Sequence, residues 1–279
     1  GFASLERLGV IAEVARAAGL ETLGQPFGSV VAEQIRSACG PAKLVVANNV
    51  LAHVADLPDF LAGIRALLAP GGVLVVEVQY LPDLLLGNQF DHVYHEHRSF
   101  FGAGSLTRTL WRQGLRVMSV ERTVAQGGSI RVVADLEADL GPVPALQHER
   151  TLATPSAYAG LQGRADMLRY GVLATLATER ADGRSLIGLA ASAKSATLLN
   201  WCGIGLEHLA QVHDRTPSKA GRFTPGTGIP ITTDPLPPGR DVSALVLAHN
   251  YLPGILRRES GFLAEGGRFV VPIPQSVVI

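Results

Sequence analysis

Residues 73–78 read VLVVEV, and this apolar run, together with what precedes it, decides the fold class. A second apolar run, KLVVA at residues 43–47, lies upstream, and apolar side chains recur every four residues over about 57–68. This spacing predicts a helix with one apolar face. The helix ends before residues 70–72, because Pro cannot continue a helix and Gly permits a tight turn. Strand, helix and strand in this order predict a βαβ unit with parallel strands.

The alternation of apolar runs with Gly- and Pro-containing breaks continues along the chain. Runs at 115–120 and 129–134 predict two further strands, an antiparallel pair at a sheet edge. From about 143 to 184 the sequence is rich in Ala, Leu, Arg and Glu, which predicts one or two amphipathic helices that link two halves. The second half again alternates strand and helix, with strands at 185–190, 211–214, 243–248 and 268–272 and a helix at 193–202.

We therefore predict an α/β protein with two Rossmann-like doubly wound domains joined by a helical linker. The expected limits are 1–142 for the first domain, 143–184 for the linker and 185–279 for the second domain. A chain of 279 residues with 47% hydrophobic side chains can bury two cores of this kind.

Composition excludes several classes of function. Basic and acidic residues both number 24, so the net charge is zero, which argues against a broad nucleic-acid or polybasic membrane surface. No run approaches the ~18 apolar residues of a membrane span, no secretory signal is visible, and Cys39 and Cys202 do not build a disulfide framework. We expect a cytoplasmic protein that binds neither nucleic acid nor membrane, either monomeric or a weak homodimer.

Polar residues follow several predicted strands, where ligands bind in open parallel sheets. Asn48, Asn49 and His53 follow the first strand, Asp214 ends a strand of the second half, and His249 and Asn250 follow another. Each of these side chains alone has a structural interpretation, but together they mark the rim of a cleft.

The densest polar segment, residues 89–98, reads QFDHVYHEHR and holds three of the eight histidines. If it is extended, His95 and His97 point to one side and Glu96 to the other. Three interpretations remain open: a metal site, a loop held by histidine hydrogen bonds, or a proton-transfer site, which suits an imidazole near neutral pH. The spacing is not the His-Glu-x-x-His motif and no cysteine accompanies it, so we predict no metal.

The turn at 188–195 joins a predicted strand to a helix and consists mostly of small residues. Backbone amides and a helix N-terminus in such a turn suit a diphosphate, and Lys194 and Ser195 add donors. The alternative is that small residues here only allow close packing of helix and strand. The turn is neither a G-x-G-x-x-G fingerprint nor a Walker A loop.

Several segments, in order, resemble one known family. They are 89–97 (QFDHVYHEH), 127–131 (GGSIR, with Gln126 where His is usual), 188–203 (ending LNWCG), 214–231 (from DRTPSK to IPI), 248–250 (AHN) and 266–274 (GGRF to PIP). These segments are similar to those of the S-adenosylmethionine-dependent sugar C-methyltransferases, which act on nucleotide-linked 4-keto deoxysugars in antibiotic biosynthesis.

The resemblance implies that S-adenosylmethionine binds to the first domain and that a nucleotide-linked keto sugar is held between the domains. It implies His97 as the general base, with Glu96, Tyr94 and His53 as active-site neighbours. For the sugar nucleotide we expect contacts from Lys194, Ser195, Asn200, Asp214 and Lys219.

The chain also departs from the family pattern. The cysteine-rich zinc segment and the E-x-G-x-x-D-G turn for the donor are not visible, so we expect either part of a longer protein, with zinc only in a missing segment, or a degraded donor site. The remaining predicted donor contacts are Asn48, Asn49, Gln25 and Phe27. The alternatives are a homologue that binds a nucleotide sugar without methyl transfer and, less favoured, a nicotinamide-dependent sugar reductase.

Overall fold

The computed structural model describes residues 11–137, 149 and 154–279. Among these residues, one compact unit comprises 11–78, 101–123 and 130–137, and a second comprises 79–100, 124–129, 149 and 154–279. The second unit therefore takes two segments, 79–100 and 124–129, from the region that the sequence assigns to the first domain. The predicted limits at 142 and 184 stay predictions, and most of the chain between 138 and 153 lies outside the described residues.

The strands and helices follow the predicted alternation closely. The strands in chain order are β1 (Ala42–Asn48), β2 (Leu68–Gln79), β3 (Arg116–Thr123), β4 (Ser129–Asp135), β5 (Ser185–Leu189), β6 (Val212–His213), β7 (Ile231–Thr232), β8 (Val242–Val246), β9 (Arg268–Val271) and β10 (Val277–Val278). The helices are α1 (Ser29–Cys39), α2 (Leu57–Leu67), α3 (Leu81–Leu86), α4 (Ala103–Arg112), α5 (Leu161–Ala181), α6 (Ala193–Cys202), α7 (Leu252–Arg258) and α8 (Ser260–Ala264).

The first unit contains the predicted βαβ element. Strands β1 and β2 pair in parallel, and α2 connects them. Helix α2 begins where the Asp56 carboxylate accepts a hydrogen bond from the Asp59 amide at 3.0 Å, and it buries Phe60 and Ile64. The sheet order is β1-β2-β4-β3, so β3 and β4 are neighbours at one edge, as predicted.

The second unit is a doubly wound sheet of order β10-β9-β8-β5-β6-β7. Strands β5 to β9 pair in parallel, and β10 is an antiparallel edge strand. The order of strands reverses at β5, because β6 lies on one side of it and β8 on the other. The carboxyl ends of β5 and β8 are therefore the topological switch point of the fold, where ligands of such sheets bind.

Alternate residues of the central strands fill two separate cores in this unit. Leu186 and Leu245 pack with α5 and α6, whereas Ile187 and Ala244 pack with α7 and α8. Helices therefore cover both faces, which explains why these strands are almost wholly apolar. The predicted α/β class is confirmed.

Helix α5 is the described part of the predicted linker. It buries Leu168, Val172 and Leu176 in the core of the second unit. Its role as a linker stays a prediction. In the part of the chain that the structure describes, no helix combines the length and apolar character needed to cross a membrane.

Candidate active site

The segment 89–98 folds into two consecutive turns instead of an extended strand. A short 3₁₀ helix, Phe90–His92, is followed by a turn in which the His97 amide donates to the Tyr94 carbonyl at 3.0 Å. The extended alternation that the sequence suggested is therefore wrong, because this turn brings the rings of Tyr94 and His97 together, with centroids 4.1 Å apart. His95 instead stands in solvent, with 88% of its side chain exposed.

Hydrogen bonds define the tautomer of His97. Its Nδ1 lies 2.7 Å from the carbonyl oxygen of His92, and its Nε2 lies 2.9 Å from the Tyr94 hydroxyl. A carbonyl oxygen only accepts, so Nδ1 carries the hydrogen, and in the neutral ring Nε2 holds the lone pair. Tyr94 therefore donates to Nε2. The site thus contains an imidazole with a fixed acceptor nitrogen, as a general base requires.

Burial raises the pKa of Tyr94 to about 12, with smaller contributions from the negative charges of Glu96 and Asp91. The hydroxyl consequently keeps its proton at neutral pH. Glu96 lies beside this pair, partly exposed, 3.8 Å from His95. Its negative charge acts on Tyr94, and its predicted place in the active site stays a prediction.

The switch point of the second unit supplies a cation to the same segment. Lys194, at the start of α6, is buried; its Nζ donates to the Asn250 side-chain oxygen at 2.5 Å and lies 3.4 Å from His92 Nε2. Asn250, which follows β8, in turn donates to the Gln126 side-chain oxygen at 3.2 Å. The carboxyl ends of β5 and β8 thus deliver polar groups to the histidine segment.

A buried carboxylate and a histidine form a second link at this point. His249, also after β8, lies 3.0 Å from the Asp91 carboxylate, whose residue has no exposed surface. Burial by itself raises the pKa of Asp91, but the hydrogen bond and charge of His249, with Lys194, hold it below its usual range. Asp91 therefore stays ionised and ties its 3₁₀ helix to the switch point.

His92 is the neutral member of this group. Burial, followed by the charge of Lys194, lowers its pKa to about 3. Its Nδ1 and one carboxylate oxygen of Asp91 are buried without a hydrogen-bond partner among the described residues. Such unpaired buried atoms are uncommon in folded proteins and are typical of sites that await a ligand or water.

The other predicted substrate residues have bonds within the second unit. The Asp214 carboxylate accepts from the Ala191 amide at 2.7 Å, from Lys219 Nζ at 2.9 Å and from the Thr216 amide at 2.9 Å. These bonds secure the turn after β5, so Asp214 and Lys219 have a structural task. Their predicted contact with substrate stays a prediction.

Ser195 and Asn200 are engaged in the same way. The Ser195 amide donates to the Ser192 hydroxyl, which caps α6, and the Ser195 hydroxyl donates to the Ser192 carbonyl. Asn200 donates to the Pro225 carbonyl at 2.9 Å. The amides that the sequence offered to a diphosphate are thus partly used by the fold itself, and the substrate roles of Ser195 and Asn200 remain predictions.

The predicted donor contacts belong to the first unit. Asn49 follows β1 with a left-handed φ of 53°, its amide donates to the Glu77 carbonyl at 2.7 Å, and its side-chain oxygen is buried without a partner in residues 11–137, 149 and 154–279. Phe27 packs edge-on against Phe60 with centroids 5.2 Å apart. The remaining predicted residues of this unit, Asn48, Gln25 and His53, are exposed.

The described residues contain no group of three or more His, Cys, Asp or Glu side chains that could hold a metal ion. Sequence reasoning marked His249 and Asn250 at a strand end but assigned them no role, and it assigned none to Asp91, His92 or Gln126. The sequence held a signal for His249 and Asn250, because they follow a predicted strand, and the carboxyl ends of β5 and β8 flank the switch point.

Residues 124–274 match the family model described as C-methyltransferase C-terminal domain, more than half of the chain, and residues 9–120 match that of a methyltransferase domain. The chain belongs to the C-methyltransferase family. The family resemblance inferred from the sequence is thereby confirmed at this level. C-methyltransferase NovU of Streptomyces niveus is 38% identical over 277 residues, which cover 96% of this chain and 66% of NovU. The chain therefore spans slightly less than two thirds of that relative's length.

Two solved structures align with about a third of this chain. Magnesium protoporphyrin IX methyltransferase (ChlM) from Synechocystis PCC 6803, with bound SAH, aligns with a TM-score of 0.27 and 14% identity over 34% of this chain and 44% of its own. The pyocyanin biosynthetic protein PhzM aligns with a TM-score of 0.28 and 16% identity over 34% of this chain and 30% of its own.

Proposed function

We propose that this chain transfers a methyl group from S-adenosylmethionine to the carbon beside the keto group of a nucleotide-linked 4-keto deoxysugar. The observation that carries the proposal is the His97 imidazole, whose acceptor nitrogen is fixed by the His92 carbonyl in a polar cluster at the switch point of a doubly wound sheet. Membership in the C-methyltransferase family supports carbon as the methyl acceptor.

The chemistry begins with removal of a proton from carbon. A hydrogen on the carbon beside a ketone is acidic, because the electron pair left behind delocalises onto the ketone oxygen. A neutral imidazole accepts such a proton, and His97 Nε2 is the atom of this chain prepared to hold it. The imidazolium that results keeps its Nδ1 hydrogen bond to the His92 carbonyl, so the ring does not reorient during the step.

The developing negative charge on the ketone oxygen needs a donor or a cation. Lys194 is a buried ammonium that bonds to neutral atoms of Asn250 and His92. Two of its three N–H groups are thus engaged, and the third can serve an oxygen of the substrate, either of the enolate or of the diphosphate. Both uses support a sugar-nucleotide site on the second unit, at the carboxyl ends of β5 and β8.

The first unit supplies groups that fit part of the methyl donor. The unpaired side-chain oxygen of Asn49 is an acceptor for an amino group, and Phe27 offers an aromatic face. We assign Asn48, Asn49, Gln25 and Phe27 to hold S-adenosylmethionine, which supplies an electrophilic methyl group when bound. The chain's own task is to generate and orient the carbon nucleophile.

Incubation of the purified chain with S-adenosylmethionine and a set of nucleotide-linked keto sugars tests the proposal. Mass spectrometry should show that one sugar gains the mass of one methylene group, and calorimetry should show donor binding. A chain that binds the nucleotide sugar but neither binds the donor nor changes the sugar's mass would contradict methyl transfer and favour the homologue that has lost the donor reaction. Reduction of the sugar in the presence of a nicotinamide cofactor would favour the reductase.

A further inference from the structure

We propose that Tyr94, and not His97, contacts the hydrogen that leaves the substrate carbon, and that Tyr94 relays a proton to His97. This inference rests on the proposed function and deepens it, because it assigns the atom of the chain that meets the substrate. It concerns the second unit alone.

Both ring nitrogens of His97 are engaged in hydrogen bonds. Nδ1 donates to the His92 carbonyl at 2.7 Å, and Nε2 accepts from the Tyr94 hydroxyl at 2.9 Å. A substrate C–H bond cannot reach the Nε2 lone pair while the Tyr94 hydroxyl occupies it. A hydrogen bond of this length and direction is instead a ready path for a proton.

Aromatic rings also enclose His97. The Tyr94 ring packs against it with centroids 4.1 Å apart, the His92 ring stacks at 5.9 Å with an interplanar angle of 23°, and Phe100 meets it edge-on at 6.0 Å. Only 9% of His97 is exposed, whereas Tyr94 is of intermediate exposure. Tyr94 is thus the more accessible residue of the pair.

The relay conserves atoms and charge. The carbon–hydrogen bond breaks, and its electron pair moves into the enolate. Its proton forms a new bond to the Tyr94 oxygen while the original hydroxyl proton of Tyr94 passes to His97 Nε2. The products are an enolate, a neutral phenol and an imidazolium, so no phenolate accumulates.

The raised pKa of the Tyr94 phenol agrees with this order of proton transfers. Burial raises the pKa of Tyr94 to about 12, so a free phenolate would be a costly intermediate at neutral pH. A concerted transfer to His97 avoids it. Without His97, Tyr94 is a poor base, and without Tyr94 the relay to His97 is broken.

Deuterium exchange in heavy water without methyl donor isolates the proton-transfer step. Wild-type protein should introduce deuterium beside the ketone of a nucleotide-linked keto sugar. Tyr94→Phe should slow this exchange by roughly 100-fold or more, the scale of a lost general base, with nucleotide-sugar affinity within about threefold of wild type. His97→Asn should show a similar loss. If Tyr94→Phe exchanges as fast as wild type or faster, because Nε2 is uncovered, the relay is overturned and His97 acts directly.

A measurement on the wild-type protein keeps the test independent of the variant's folding. The release of label from a substrate labelled at the reacting carbon should be slower in heavy water than in ordinary water, because the hydroxyl proton of Tyr94 comes from solvent and moves in the same step. Equal rates would overturn the relay but leave proton abstraction intact. No exchange by wild type with any keto sugar would overturn the proposed function as well, so the two failures are distinguishable.

Discussion

The two units differ in how they hold the polar residues that follow their strands. In the second unit, Lys194, Asn250 and His249 bond to partners 56 to 158 residues away in sequence, and both ring nitrogens of His97 have fixed roles. In the first unit, Asn48 is exposed and the Asn49 side-chain oxygen has no partner in the described part of the chain.

Under the proposed function, this difference divides the tasks of the reaction between the two units. Folding alone organises the proposed acid–base groups of the second unit, and preorganised dipoles and charges are the largest source of catalysis in many enzymes. The polar groups of the first unit keep acceptor capacity for a ligand. Burial differs in the same direction: β1, at one end of the sheet formed by the described residues, leaves Leu44 and Val46 58% and 56% exposed, whereas every residue of β8 is buried.

Removal of the imidazole should produce the largest effect. We expect His97→Asn to lower methyl transfer by about 10³-fold, within the range for a lost general base, because an amide cannot accept the proton. Donor affinity, measured by calorimetry, should stay within about twofold of wild type, because on this account the first unit alone binds the donor. His95→Asn is the matched control, since that side chain is 88% exposed, and it should keep full activity. Unchanged turnover in His97→Asn would remove the imidazole from the mechanism.

Removal of the positive charge of Lys194 should weaken binding of the nucleotide sugar. Lys194→Met keeps the length of the side chain but removes its charge, and hydrogen bonds to charged groups contribute about 1.5–3 kcal/mol. We expect nucleotide-sugar affinity to fall roughly 10- to 100-fold in calorimetric titrations, whereas Lys43→Met, an exposed change in the first unit, should have no effect. Equal affinity in Lys194→Met would assign the turn before α6 to packing.

Because His92 is buried in its neutral form, the stability of the fold should depend on pH. Its pKa is lowered from 6.5 to about 3 in the folded protein, so between these values the unfolded chain binds more protons. The free energy of unfolding therefore falls as pH falls through this window, by about 2 kcal/mol from about pH 7 to about pH 5.

Urea unfolding at both pH values measures this contribution, with His92→Gln as the matched variant. The variant should lose less stability than wild type on acidification, because it removes the group that titrates in the unfolded chain. An identical pH dependence in both proteins would mean that His92 is not held neutral by burial and Lys194.

The smallest effect is expected in the first unit. Asn49→Gly removes the amide group and tolerates the left-handed φ of 53°, so the backbone should not be strained. A neutral hydrogen bond contributes about 0.5–1.5 kcal/mol, so donor affinity should fall roughly two- to tenfold. Nucleotide-sugar affinity should not change. A variant with wild-type affinity for the donor would exclude Asn49 from the donor site.

Sequence patterns predicted the strands and helices well because most strands are continuous apolar runs with Gly or Pro at their ends. The parallel pairing of β1 with β2 and the segment from β5 to α6 followed directly from such runs and from Gly and Pro at their ends. The grouping of 79–100 with the second unit was not predictable in this way, because it depends on contacts between segments far apart in sequence.

The candidate site shows the same limit. Alternation along 89–98 suggested where each side chain of an extended segment would point, but one hydrogen bond from the His97 amide to the Tyr94 carbonyl closes a turn and reverses that expectation. The pairing of Asp91 with His249 spans 158 residues and has no local signature. Residue types indicated acid–base chemistry, whereas the direction of each hydrogen bond required the structure.

The hydrogen-bond direction at His97 is the central claim, and nitrogen NMR of the protein labelled in its histidines tests it most directly. Near neutral pH the account predicts a neutral ring with its hydrogen on Nδ1 and an Nε2 shift typical of an acceptor, which moves toward the shift of an unbonded nitrogen in Tyr94→Phe. A His97 ring with its hydrogen on Nε2 would contradict the account, because no lone pair would then face Tyr94.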